Sequence, residues 1–271
     1  MGIFDGMMLI SDYDGTLYGD VPEVSQENID AIRFFQDEGG IFLVCSGRCW
    51  AAFYEQAKRL PLRYPTLLSN GATLCDMTSG ENYFCRNLPD RCKEDMITIA
   101  AEFPDVAMEV YHGEDVYCHN PNYYVEQHQK LVKSGYTLAP LDEMPQPWLK
   151  VLFEGDHDLL EPLRDRVLAD WGEHYECIFS APFLLELTGK GVHKGFGVTE
   201  AAKRFGIAMD RVYCIGDNEN DLPMLYAAAQ GFIPAGSALD VMGIKDFTIT
   251  RDASHSSVAH VVELLRDMVQ A

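Results

Sequence analysis

Three short apolar runs each end abruptly in a cluster of polar and charged residues. Met7–Ser11 leads into Asp12-Tyr13-Asp14-Gly15-Thr16, Ile41–Cys45 into Ser46-Gly47-Arg48, and Arg211–Ile215 into Gly216-Asp217-Asn218-Glu219-Asn220-Asp221. Runs of this length, apolar throughout and bounded by turn residues, read as strands buried on both faces. Between the first two, Ser25 can cap a helix in which Ile29, Ile32 and Phe35 recur at helical spacing, and Gly39-Gly40 stops it. A helix over residues 50–60 follows. A further strand, Thr66–Leu68, ends at Ser69-Asn70-Gly71. Strand alternating with helix predicts a doubly wound α/β fold, a parallel sheet with right-handed crossovers.

The pattern changes near residue 82. Helices are expected near 90–103, 122–133 and 158–171. Between them lie paired strands: 107–111 with 116–119, then 149–154, then 177–179 with 184–187. Segregated helices and hairpins are α+β logic, so this stretch reads as an inserted second domain. The first pattern returns after Gly189, with a helix near 195–205 ended by Gly206, the 211–215 strand, strands near 232 and 247–250, and a last helix from Ser256. The expected division is a core of residues 1–81 and 188–271 around an insertion of 82–187. A chain of 271 residues can bury both.

The formal net charge is −21, with no basic cluster to interrupt the acidity. Such a surface repels nucleic acid and anionic lipid. A small phosphorylated ligand stays compatible only where a metal or a few placed cations offset the field. The 8 cysteines form no C-x-x-C pair, and Cys45 and Cys214 sit inside apolar runs as buried thiols. The N-terminal residues carry neither a basic segment nor a long apolar one, and no run approaches membrane-spanning length. The expectation is a cytoplasmic protein, monomer or homodimer, with neither nucleic acid nor membrane as partner.

Ligands of open parallel sheets bind beyond the carboxyl ends of the strands. The strand ends therefore bring Asp12, Asp14, Asp217 and Asp221 to one edge. Carboxylates so close repel one another unless a cation lies between them. An all-oxygen donor set without His or Cys selects Mg2+ over zinc. One Asp-x-Asp-Gly by itself is an ordinary turn; several such clusters at strand ends in a consistent α/β frame are not.

Asp12-Tyr13-Asp14-Gly15-Thr16-Leu17 resembles the first motif of the haloacid dehalogenase superfamily of phosphatases. Ser46 resembles its second, Lys194 in Gly191-Val192-His193-Lys194-Gly195 its third, and the run from Gly216 to Asp221 its fourth. The insertion falls between the second and third motifs, as in Cof-type members with a C2B cap, and Asn70-Gly71-Ala72 is similar to a signature of that subgroup. The resemblance implies a haloacid dehalogenase-like core with an α+β cap. It implies that Asp12 attacks phosphorus to form an aspartyl-phosphate, and that Asp14 acts first as general acid and then as base. It places Mg2+ on the Asp12 carboxylate, the Asp14 carbonyl and Asp217, with Asp221 beside them tethering Lys194 or a metal-bound water. Ser46, Gly47, Lys194 and Asn220 would hold phosphoryl oxygens, with Thr16, Asn70 and Gly71 in the same loops. The loops at 232–238 and 252–258 depart from the usual Cof-type wording, which bears on substrate and not on reaction.

The expected activity is Mg2+-dependent hydrolysis of a small phosphorylated metabolite, a sugar phosphate or a phosphorylated cofactor. A phosphomutase sharing the same intermediate, or a non-catalytic phosphometabolite-binding protein, are the alternatives. The cap would close over the site and contact the leaving group, with His119, Lys150 and Glu186 as candidates. Arg48 reads as phosphate contact or structural ion pair. Gly189-Lys190-Gly191 lacks the ending of an ATP-binding loop.

Overall fold

The computed structural model describes residues 2–19, 23–132 and 135–271. At its centre the Met8–Ser11 strand is flanked in parallel by Ile41–Val44 on one side and Val212–Ile215 on the other. Gln230–Pro234 and Thr248–Thr250 extend the sheet beyond Val212–Ile215 in the same direction, giving five parallel strands. Side chains alternate between two cores, as a period of two demands. Leu9, Phe42, Val44 and Ile215 face the Gln26–Asp37 and Ser257–Gln270 helices. Met8, Ile10, Leu43 and Cys214 face the Lys194–Phe205 helix. Both faces are covered, which is why these strands are apolar without interruption.

Local signals set the helix ends. Ser25 Oγ accepts from the Asn28 N–H at 3.1 Å, capping the first helix. Gly206, at φ 68°, closes Lys194–Phe205 in the left-handed conformation.

The expected third parallel strand takes a different course. Thr66–Leu68 joins the edge of the main sheet in the expected parallel direction, but through one bridge, Cys45 to Leu67, beside which the Ser46 N–H donates to the Leu67 carbonyl at 2.9 Å. It then pairs antiparallel with Thr73–Cys75, which pairs with Asn82–Cys85 to make a separate three-stranded sheet. The cause is the intervening turn: Ser69, Asn70 and Gly71 all have positive φ (50°, 54° and 81°), which reverses the chain. The 82–85 strand thus hydrogen-bonds to residues on the core side of the expected boundary.

Beyond it lies a six-stranded sheet in the order Tyr175–Ala181, Leu184–Gly189, Lys150–Glu154, Ala107–His112, Asp115–His119, Thr137–Leu138. All neighbours are antiparallel except the last pair. One face packs Met108, Val110, Val151, Phe153 and Leu187 against the Cys92–Glu102 and His157–Trp171 helices. The other face carries Tyr111 and Leu152 toward Cys49 and Ala52 of the α/β core. The helix expected over 122–133 spans Tyr123–Val132; Lys133 lies outside the described residues. No helix among the described residues is long and apolar enough to cross a membrane.

Candidate active site

Asp12 follows directly from the central strand. Its N–H donates to the Ile215 carbonyl at 2.9 Å, continuing the parallel ladder by one residue and fixing the carboxylate at the sheet edge. Gly15, at φ 82°, turns the loop back so tightly that a Cβ there would stand 2.4 Å from Asp217 Oδ2. That close approach lets Thr16 Oγ1 donate to Asp217 Oδ1 at 3.0 Å, tying the first strand end to the fourth.

Lys194 enters from the N-terminus of its helix and is 1% exposed. Its Nζ lies 2.6 Å from Asp12 Oδ1 and 2.5 Å from Asp221 Oδ1. Asp221 is wholly engaged: its other oxygen accepts from the N–H groups of Asp217 and Asn218 at 2.8 and 3.1 Å. It therefore braces both Lys194 and the loop that carries Asp217.

The electrostatics follow from burial. Desolvation pushes Asp12 well above the usual carboxylate range; Asp221 and Asp217 add to this and Lys194 opposes it. Desolvation and then Asp221 push Asp217 up to about 7, against Lys194 and Thr16. Burial alone would lower Lys194, but Asp12 and Asp221 outweigh it and hold the ammonium charged. Asp12, Asp217 and Asp221 place ligand oxygens within 4.8 Å of one another. One ammonium does not neutralise these carboxylates, and the donors are all hard oxygens, so the residues fit a divalent cation of the magnesium class.

Asp14 turns outward. Its carboxylate is held by Arg48 through two bonds, Nε to Oδ2 at 2.8 Å and a terminal nitrogen to Oδ1 at 2.7 Å. Arg48 is thus an ion-pair partner here, and the Asp14 side chain is not in the carboxylate cluster. Ser46 is buried and its Oγ accepts from the Arg48 N–H at 3.2 Å. Asn220 Nδ2 donates to Asn70 Oδ1 at 3.2 Å, joining the Gly216–Asp221 loop to the Ser69-Asn70-Gly71 turn.

A cavity of about 290 Å³ opens over these residues, bounded by Asp12, Asp14, Gly47, Asp217 and Asn220 below. The six-stranded sheet supplies its other wall. There Lys150 Nζ donates to the Gly47 carbonyl at 2.7 Å and pairs with Glu186 at 3.0 Å. The expected cap candidates therefore divide. Lys150 and Glu186 reach the cavity. His119 does not line it; it sits at the end of its strand opposite Met108, remote from the Gly113-Glu114 turn. Gly71 is also away from the cavity, packed on the His193 carbonyl and Gly197, so its role is to let the Lys194–Phe205 helix approach.

Tyr111 and His128 line the cavity and went unnoticed in the sequence. A signal was available. Within the apolar strands, Glu109, Tyr111, Lys150, Glu154 and Glu186 recur at alternate positions, marking a face that is buried yet polar.

The family model of the haloacid dehalogenase-like hydrolases matches residues 9–262. Among curated relatives, Phosphatase YwpJ of Bacillus subtilis is 26% identical over 288 aligned positions, covering 96% of this chain and 100% of its own. The 5-amino-6-(5-phospho-D-ribitylamino)uracil phosphatase YcsE of the same organism is 26% identical, covering 88% and 87%. Among solved structures, a haloacid dehalogenase-like hydrolase from Bacteroides thetaiotaomicron superposes with a TM-score of 0.80 at 24% identity, covering 96% and 99%. The subclass IIB sugar phosphatase BT4131 gives 0.83 at 20% identity, covering 95% and 98%. With the four motif clusters gathered at one sheet edge beneath an inserted α+β unit, the chain belongs to the haloacid dehalogenase-like hydrolases, in their Cof-type phosphatase branch.

Proposed function

We propose that the protein is a Mg2+-dependent phosphatase that cleaves a small phosphorylated metabolite through an aspartyl-phosphate on Asp12. The observation that carries this reading is the position of Asp12. It stands at the end of the central strand, between Lys194 and the Asp217 loop, at the floor of the cavity.

Asp12 attacks phosphorus in line with the leaving oxygen; the new O–P bond forms as the ester O–P bond breaks. Lys194 draws off charge as it builds on the phosphoryl oxygens. Asp14 delivers a proton to the leaving oxygen, then takes one from the water that hydrolyses the acyl phosphate. To do so its carboxylate must leave Arg48, and an incoming phosphate is the competitor that would draw that guanidinium away. Ser46, the Gly47 N–H, Asn220 and Thr16 hold and order the phosphoryl loop. The Asp12 and Asp217 carboxylates with the Asp14 carbonyl would hold Mg2+, which when bound offsets the repulsion between nucleophile and phosphate.

The cavity admits a leaving group of sugar or pentitol size and is walled by Lys150, Tyr111 and His128. A phosphorylated polyol or sugar, alone or on a heterocycle, suits these donors; the names of YcsE and of BT4131 point to the same chemical range. The 8 cysteines are all free, as a reducing cytoplasm requires. A screen of phosphorylated metabolites with Mg2+ should give phosphate release that chelation abolishes. Turnover undiminished in excess chelator contradicts the metal role, and no turnover of any sugar or polyol phosphate contradicts the substrate class.

A further inference from the structure

A second cluster of titratable groups lies apart from Asp12, on the polar face of the six-stranded sheet. Glu109 and Glu154 are both 0% exposed. The register sets Ala107 opposite Glu154 and Glu109 opposite Leu152, so the two glutamates are diagonal neighbours on adjacent strands. His128, from the Tyr123–Val132 helix, covers them. Its Nδ1 stands 3.0 Å from Glu154 Oε1 and 3.4 Å from Glu109 Oε2. Glu109 has donors of its own, Gln129 Nε2 at 2.6 Å and the Tyr111 hydroxyl at 3.2 Å. Glu154 Oε2, by contrast, is buried with no hydrogen-bond partner among the described residues.

A carboxylate oxygen buried without a partner is costly. An imidazolium against two ionised carboxylates leaves one negative charge in excess, which either a proton shared by the two acids or a bound cation would offset. A neutral imidazole with a divalent cation balances both and gives the unpartnered oxygen a ligand role. The spacing agrees. Two donors bound to one ion at about 2.0–2.2 Å stand about 3.0–3.5 Å apart for angles between right and tetrahedral. The donor atoms of all three residues lie within 4.8 Å of one another.

We propose that Glu109, His128 and Glu154 form a second metal site, for a divalent transition ion of the zinc type, in the wall of the cavity. One imidazole with two carboxylates favours such an ion over Mg2+. Because His128 lines the cavity, a fourth coordination position can face it. The ion would pin the Tyr123–Val132 helix to the sheet and fix that wall.

The test uses the full chain in an Asp217→Asn background, which disables the Asp12 centre as a metal site. The protein is stripped with chelator and titrated with Zn2+ and with Co2+. Metal per chain, the Co2+ visible absorption and the melting temperature are read for this background and with His128→Gln or Glu154→Gln added. The expected result is one tight ion per chain with Co2+ bands and a raised melting temperature, and affinity weakened at least about 100-fold by either added change, beyond what loss of a supporting contact gives. Absence of tight Zn2+ binding in the background, or equal binding with and without His128, overturns the site and leaves a buried acid pair sharing a proton. Should Glu154→Gln not fold, His128→Gln and the metal count decide alone.

Discussion

Lys194 touches two buried carboxylates at once, and its loss leaves both without a counter-charge. Breaking a buried pair from one side costs about 3–5 kcal/mol. Lys194→Met should lower unfolding stability by about that amount in urea titrations without added metal, and lower turnover at least about 100-fold. Unchanged stability would mean that the ammonium does not sit between Asp12 and Asp221. The residues of this centre were most legible where they follow a buried strand directly, since the backbone there leaves a side chain little choice of direction. That holds for Asp12; Asp217 and Asp221 lie in the tight turn after Val212–Ile215, and Lys194 opens the Lys194–Phe205 helix. It fails for Asp14, whose carboxylate is two residues further on and free to turn toward Arg48, and for Gly71, whose positive φ serves a helix contact.

At the scale of elements, the Lys150–Glu154 and Leu184–Gly189 strands place Lys150 and Glu186 against the Gly47 loop, clamping the inserted sheet to the core. Burial alone would raise Glu186, but Lys150 outweighs it and holds the carboxyl below the usual glutamate range. Its ionised form therefore stabilises the fold wherever the pH exceeds the ordinary glutamate value, and that stabilisation is lost as the pH falls through the lowered one. Glu186→Gln should cost about 3–5 kcal/mol between pH 5 and 8, with the difference from the parent protein shrinking below about pH 4. A difference independent of pH would show that the pair is not ionic. Lys150→Met should change kcat/KM unequally among metabolites, by about 10-fold or more for the preferred one, while His119→Ala leaves every substrate unchanged. The reverse pattern would move the leaving-group contact to the far end of the hairpin. The inserted elements were legible as helices and hairpins, since their periodicity is local. The 66–85 sheet carried a signal as well: Asn70-Gly71 between Thr66–Leu68 and Thr73–Cys75 is hairpin chemistry, which competes with the parallel strand that β/α alternation predicts.

Across the whole molecule, a net charge of −21 would oppose the anionic substrate of the proposed reaction, with Arg48, Lys150 and Lys194 the cations nearest the site. Screening should therefore help: kcat/KM for a phosphorylated metabolite should rise about two-fold or more as ionic strength goes from about 0.02 to 0.15 M. A fall would mean that local cations govern encounter. Alternation of strand and helix made the α/β class readable; pairing of the inserted sheet with the core depends on buried ions that no local pattern reveals. The proposed chemistry turns on covalent phosphorylation of Asp12. Rapid quench in acid during turnover, followed by peptide mass spectrometry, tests it most directly. A phosphoryl adduct is expected on the peptide containing Asp12, assigned to Asp12 by fragmentation, and lost in Asp12→Asn together with a fall in turnover of at least about three orders of magnitude. An adduct on any other residue, or near-normal turnover in Asp12→Asn, would contradict it.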